Sequence, residues 1–274
     1  MTHSTRIVGA LALLLLLGCA GCTDDEEETK QAAALQPLAV REQASSVIKG
    51  DDGYVVNWAG VLANTNPWHF GEHVVATVVA KNSQGREVVR LEQPLDAVPP
   101  AGTLPFTGQV VTQEKPANVS IAYRPARWHQ AGRIVSAFQP FPVREVLTDR
   151  TADGDYLVTG YVSTPYVIPA RSLAVTALLR DKRGKLLGGG STFVDNVQAG
   201  QKRRFILQIK SIENTRDIAS AEVTARTWGS SSRPFEQLAL GGSLPLNTAK
   251  PKMPPFARDR GRQAPLAGAG PVHQ

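Results

Sequence analysis

Apolar positions in this chain come in short runs with a period of two, broken by Gly, Pro, Asn and Asp, and no long stretch carries the helical period. Tyr54 to Leu62 reads as a strand closed by the turn signal Asn64-Thr65-Asn66-Pro67. Val74, Ala76, Val78 and Ala80 then share one face of a strand over 73–81, with Val75, Thr77, Val79 and Lys81 on the other. Asn82-Ser83-Gln84-Gly85 supplies a hairpin turn in which Gly85 can take positive φ, and Arg86 to Leu91 returns as the partner strand. Pro99-Pro100-Ala101-Gly102 turns the chain again before strands over 103–111 and 118–123.

The block 53–111 is restated by 153–210. Gly60-Val61, preceded by Asn57-Trp58-Ala59, matches Gly160-Tyr161, preceded by Leu157-Val158-Thr159. Val74 to Val79 returns as Leu173 to Leu178, and its closing turn returns as Asp181-Lys182-Arg183-Gly184. Pro100-Ala101-Gly102 returns as Gln198-Ala199-Gly200 ahead of Phe205-Ile206-Leu207. The period is close to 100 residues, which is the size of a domain and not of a solenoid unit.

In the second copy, Val143 to Leu147 reads as an additional leading strand, followed by strands over 156–163, 171–180, 185–194, 202–210 and 219–228. Arg171, Leu173, Val175, Ala177 and Leu179 share one face, in register with the set that begins at Val74. Gly188-Gly189-Gly190 marks a bulge or a close backbone approach. The fold class expected is all-β: two tandem immunoglobulin-like antiparallel β-sandwich domains formed by an internal repeat.

The expected partition is a signal segment 1–18, an acidic flexible tether 19–49, a first sandwich 50–126 and a joint 127–141 with a strand at Ile134-Val135. A second sandwich 142–228 and a disordered Pro-, Gly- and base-rich tail 229–274 follow, with Leu238 to Leu246 a brief docking segment.

Of the 274 residues 42% are hydrophobic and 20% charged, as in globular proteins, but the net charge of +6 is unevenly placed. Asp24, Asp25, Glu26, Glu27 and Glu28 make the tether acidic, while Arg233, Lys250, Lys252, Arg258, Arg260 and Arg262 make the tail basic. Such a tail suits an anionic envelope surface or solubility. Nucleic acid is not an expected partner, because the N-terminus directs export.

Arg6 supplies a positive start, and Val8 to Leu17 form an apolar core too short for a membrane span of about 20 residues. Leu16-Leu17-Gly18-Cys19 resembles the bacterial lipoprotein cleavage motif. That resemblance implies cleavage before Cys19, a diacylglycerol thioether on its sulfur, acylation of the new amine by a chain such as palmitate, and a lipid bilayer as partner. Cys22 is the alternative, but Leu16 fits the position three before the cysteine better than Cys19 does. Several acyl chains anchor firmly, since each buried methylene contributes about 0.8 kcal/mol. The expected location is outside the cytoplasm, and the outer membrane in a Gram-negative cell because Ala20 follows Cys19. No cysteine follows Cys22, so both sandwiches are expected to stand on apolar packing alone.

The order of glycine-containing strand, long apolar strand, Asp-x-x-Gly turn and return strand resembles the bacterial FxLYD domain and related immunoglobulin-like modules. The family's name motif falls on Ala177, Leu178, Leu179, Arg180 and Asp181, where Leu and Asp fit and Ala177 and Arg180 replace the aromatics. The first copy, with Val78, Val79, Ala80, Lys81 and Asn82, departs further. The resemblance implies an extracytoplasmic, non-catalytic module.

His69 and His73 are the close histidine pair, but Phe70 stands where a metalloprotease helix carries glutamate, and Pro67 and Gly71 oppose a helix. No metal site, cofactor or catalytic residue is assigned. Gly188-Gly189-Gly190-Ser191-Thr192 has neither a nucleophile elbow nor the lysine of a phosphate loop. Trp58 is expected in the core. The loops carrying Trp68 and His69, and the matching loop with Tyr166, are expected to expose an aromatic to a partner. Gly60, Gly160, Asn82, Gly85, Asp181 and Gly184 serve as landmarks of the repeat. The function expected is a non-catalytic scaffold binding another envelope protein. Two alternatives are a hydrolase using His69, Glu72, His73 or His129 between the domains, and a structural spacer.

Overall fold

A computed structural model of the chain describes residues 34–132, 139–152, 154–210, 212–213 and 215–244. Cys19 and the signal segment, Ile134-Val135 and the tail from residue 245 onward lie outside the described residues.

The first copy contains β1 (Ala39–Gly50), β2 (Gly53–Ala63), β3 (His69–Glu72), β4 (Val75–Lys81), β5 (Glu87–Pro94), β6 (Thr103–Thr112), β7 (Asn118–Arg124) and β8 (Arg127–Gln130). The second contains β9 (Val143–Arg150), β10 (Tyr156–Ser163), β11 (Ala170–Arg180), β12 (Leu186–Val197), β13 (Lys202–Ile209) and β14 (Ser220–Thr227), after which α1 (Arg233–Leu240) follows. In the first copy the sheet β1-β2-β6 covers the sheet β5-β4-β7, and β3 pairs with β8 beside them. In the second copy β9-β10-β13 covers β12-β11-β14 in the same strand order. Every named pairing is antiparallel, so the chain is two immunoglobulin-like sandwiches of one topology.

The equivalence extends to single residues. Gly60 pairs with Phe106 and Gly160 with Phe205, and in each case the ring lies over the glycine. Gly85 (φ 81°) donates to Asn82 O, and Gly184 (φ 79°) donates to Asp181 O, closing matched hairpins. One alignment shifts: the left-handed residue opposite Gly200 (φ 72°) is Ala101 (φ 47°), not Gly102. Ala101 carries its Cβ in the left-handed region at a local steric cost that Gly200 does not bear.

Four expectations are corrected. Residues 39–49 belong to β1 and not to a tether, and β1 is the counterpart of β9, so Val143 to Leu147 is not an additional strand. Val47 of β1 packs on the first core while Ala44 faces the second sandwich, so neither face reads as purely apolar. Within 127–141, β8 is hydrogen-bonded to β3 and belongs to the first sandwich. Residues 229–244 are ordered: Pro234 in the first turn starts α1, and Leu238 and Ala239 are buried.

The two sandwiches stack and do not merely follow one another. The outer face of β1-β2-β6 lies on the outer face of β12-β11-β14, where Ala59 and Val61 meet Leu178 and Leu186. β2 is consequently buried on both faces from Val56 to Ala63, and β11 from Leu173 to Leu179.

Candidate functional site

Several side chains that carry charge or hydrogen-bonding capacity into the interior lie along the seam between the sandwiches, while Asn64 and Asn66 tie the loops of the first sandwich. Arg180, at the end of β11, donates from Nη1 and Nη2 to Glu42 of β1 at 2.6 Å each and from Nη2 to Glu222 of β14 at 2.9 Å. These hydrogen bonds hold the Glu42 carboxyl below its ordinary range and raise the Arg180 guanidinium further. Beside them, Asn57 Nδ2 donates to Gly189 O at 3.3 Å. A Cβ on Gly189 would lie 2.8 Å from Thr107 Cγ2, and one on Gly188 would lie 2.3 Å from Ile212 Cδ1. The triple glycine therefore begins at a bulge, between Leu186 and Gly188, and lets Asn57 and Thr107 of the first sandwich approach the strand closely.

Farther along the seam, Asp96 is buried in the turn after β5. Its Oδ2 accepts from Arg226 Nε at 2.9 Å and its Oδ1 from the Gly229 amide at 3.0 Å. Arg226 Nη1 is buried without a hydrogen-bond partner, as are Thr224 Oγ1, Thr176 Oγ1 and Asn57 Oδ1. All four atoms belong to residues whose side chains face the seam. Desolvation lowers the Arg226 pKa, and Asp96 offsets that only in part.

Residues 229–244 then fold back across the first sandwich as a clasp. His73 (φ 54°) donates its amide to Ser230 O at 2.8 Å, Ala97 donates to Gly229 O at 2.8 Å, and Glu72 Oε1 accepts the Ser232 amide. Phe70 meets Phe235 edge-on at 5.5 Å. His129, opposite Phe70 in the β3–β8 pair, places Nε2 3.2 Å from Glu236 Oε1. Glu72, His73 and His129, the hydrolase candidates, thus hold the clasp, while His69 pairs with Gln130 at the start of β3. Among the described residues no group of three or more His, Cys, Asp and Glu is placed to hold a metal ion.

The aromatic candidates separate. Trp68 is 41% exposed in the turn before β3, whereas Tyr166 is 0% exposed and offers no surface to a partner. Tyr166 donates its hydroxyl to Gln139 O at 3.4 Å, lies 5.6 Å from Phe141 and 6.5 Å from Phe235, and bridges to Ser243. Burial pushes its phenol up to about 12. Trp58 is core, with its indole N–H donated to Gln93 Oε1 at 2.8 Å. Trp228 and Phe193 form an edge-on pair at 5.7 Å and are 58% and 55% exposed.

Sequence reasoning did not single out Phe193, Asp96 or Arg226. The available signal was the charged Arg226 inside a strand whose alternate residues, Val223 and Ala225, belong to the core.

Openings lie along the seam, a small one of about 140 Å³ between Asn57 and Thr107 on one side and Gly189 and Leu207 on the other. A polar groove of about 730 Å³ runs between β1 and the β11–β12 hairpin, lined by Gln43, Ser45, Lys182, Lys185, Glu213 and Arg216 among others. An apolar slot of about 350 Å³ lies beside Arg226, between Ala97 and Pro105 of the first copy and Phe141 and Phe235.

No family model matches this chain, and no curated protein matches it. Among solved structures, the N-terminal CBM22-1-CBM22-2 tandem domain from Paenibacillus barcinonensis Xyn10C is 10% identical, over 72% of this chain and 87% of that chain, with a TM-score of 0.15. Parabacteroides merdae β-glucuronidase is 13% identical, over 66% of this chain and 29% of that chain, with a TM-score of 0.18. At such scores the likeness carries no argument, and the fold rests on the strand topology.

Proposed function

We propose that this chain is a non-catalytic lipoprotein of the cell envelope, held to the bilayer through acylated Cys19, whose paired sandwiches present a fixed surface to another envelope protein. The observation that carries the reading is the locking of the two sandwiches together by polar contacts. Arg180 joins Glu42 to Glu222 across the seam, and Glu72, His73 and His129 grip the clasp. A rigid body with exposed aromatics suits recognition, because such side chains contribute large contact area at small entropic cost. Trp68 and the Phe193–Trp228 pair are the residues proposed to meet the partner.

The test combines palmitate labelling with photocrosslinking in intact cells. Wild-type protein is expected to take up label and sediment with membranes, and the Cys19→Ser variant to do neither. A photoreactive residue at position 228 or 68 is expected to capture one discrete envelope protein. Met1 to Gly18 retained on the mature chain would end the anchor reading. Full function after both sandwiches are exchanged for an unrelated tandem of equal length would leave only the spacer.

A further inference from the structure

The sheet β9-β10-β13 holds in the second copy the place that β1-β2-β6 holds in the first, but only the latter has its outer face in the seam. The two faces compare position by position through Gly60 and Gly160. In the seam face Ala59 stands between Ala44 and Thr107, and Val61 between Glu42 and Pro105. In the other face Thr159 stands between Leu147 and Ile206, and Tyr161 between Arg144 and Arg204. Short side chains that admit a rigid sheet are thus replaced by long ones, and an anion by two cations. Leu147 is 70% and Ile206 56% exposed, and both guanidinium groups lie on exposed residues. Lys202 stands at the same end, 5.9 Å from the Tyr161 ring centroid and paired with Glu145, while Asp149 lies at the far end beside Leu157. A second copy stacked as the sandwiches are would bring Arg144 against Lys81, the counterpart of Arg180, and Ile206 against Arg90, the counterpart of Gly189. Like charge and bulk both oppose that arrangement.

We propose that the outer face of β9-β10-β13 lies on an anionic lipid bilayer. Arg144 and Arg204 would donate to lipid phosphates, Tyr161 would stand at the headgroup level, and Leu147 and Ile206 would enter the acyl boundary. Exposed cations gain from an anionic leaflet, apolar side chains gain from burial in it, and tyrosine favours the interface between the two. A folded acidic protein would match the charge, but it would have to be shaped around Leu147 and Ile206, whereas a bilayer yields to them. The proposal deepens the anchored reading by adding a second contact with the same membrane. Cys19 lies fifteen residues before Ala34, a reach of up to about 50 Å when extended. Packed sheets lie about 10 Å apart, so β9-β10-β13 is about 20 Å from β1-β2-β6, well within that reach.

The test places the acylated full chain in vesicles containing brominated phosphatidylcholine, which quenches a fluorophore at short range. In a Cys22→Ser background the fluorophore is attached at Ile206→Cys or, at the opposite end of the stack, at Ala122→Cys on the exposed face of β7. Flotation with neutral vesicles reads the anchor, and quenching reads the face. In equal parts of phosphatidylcholine and phosphatidylglycerol, quenching at position 206 is expected to exceed that at 122 severalfold, and in phosphatidylcholine alone to match it. Each cation near an anionic surface contributes about fivefold in binding, so Arg144→Glu with Arg204→Glu is expected to abolish the excess. Lys49→Glu with Lys115→Glu changes the net charge equally in the first sandwich and is expected to keep it. A chain that floats only with anionic vesicles and is quenched at 206 would sink the anchor and leave the face, and one that floats with neither would sink both. Equal quenching at 206 and 122 in anionic vesicles, an excess that survives reversal of Arg144 and Arg204, or an excess lost equally on reversal of Lys49 and Lys115 would overturn the proposal and leave the anchor.

Discussion

Gly60 and Gly160 occupy one position in two copies for one reason. A Cβ there would sit 2.6 Å from Cζ of Phe106 or 2.8 Å from Cζ of Phe205, and both rings are buried. Gly85 and Gly184 are glycines for a different reason: nothing lies within 4 Å of a Cβ, but φ is 81° and 79°. Both kinds were legible as repeated positions, though the sequence could not distinguish close approach from backbone conformation. Charge at the seam was not legible, because Glu42 lies 138 residues from Arg180 and only the fold brings them together. The pair makes a pH prediction. Arg180 favours the Glu42 carboxylate in the folded chain alone, so the folded pKa lies below the ordinary 4.5. The stability this gives is complete above that value and is lost as pH falls through the lower, folded value. In urea titrations at a series of pH values, Glu42→Gln should lower the midpoint near neutrality and show a shallower fall on acidification than wild type. Glu87 and Glu114, also lowered by arginine partners, titrate in both proteins and cancel in the difference. Equal acid slopes would deny the seam pair any role in stability.

Strands were readable wherever one face met a core and the other met water. β4 alternates with Val74's neighbours Ala76, Val78 and Ala80 buried and Val75, Thr77 and Val79 half-buried, and β10 alternates in the same way. β1 was not readable, because an edge strand with Ala44 toward one neighbour and Val47 toward another has no single apolar face. α1 was missed as well. Its eight residues follow Gly229-Ser230-Ser231-Ser232 and are followed by base-rich chain, a composition that reads as loose although Leu238 and Ala239 are buried. Apolar contact holds the clasp through Phe235, against Phe70 and Tyr166, and through Leu238 and Ala239, which are buried in the second core. Phe235→Ala should therefore release α1 without unfolding either sheet pair. Hydrogen exchange at the amides of α1 should accelerate by about tenfold or more, the equivalent of about 1.4 kcal/mol, while β10 and β11 keep their protection. Uniform loss of protection would mean that α1 and the second core open as one unit, and no change would make the Phe235 contacts superfluous.

The asymmetry between the two copies is where the sequence recorded the whole molecule. β2 and β10 hold the same place in the repeat, yet β2 is buried on both faces and β10 on one. β11 and β4 differ in the same way. A strand covered on both sides reads as a near-continuous apolar run, and each copy has one such strand, β2 in the first and β11 in the second. Those two belong to the sheets that face each other, so the pattern that distinguishes the copies also says which faces meet. It follows that the sandwiches should unfold together, although each has a core of its own. Calorimetry of the wild type should give one transition across both. Leu178→Asp would bury a carboxylate against Ala59 and Val61, with Arg180 on the same face already bonded to Glu42 and Glu222, at a cost of several kcal/mol, while leaving the inward residues of β11 untouched. The variant should then melt in two steps, one for each sandwich. A single, merely lowered transition in the variant would mean that the coupling runs through the clasp and the Arg180 and Arg226 pairs, and two transitions in the wild type would mean that the stacked sheets do not couple the sandwiches at all.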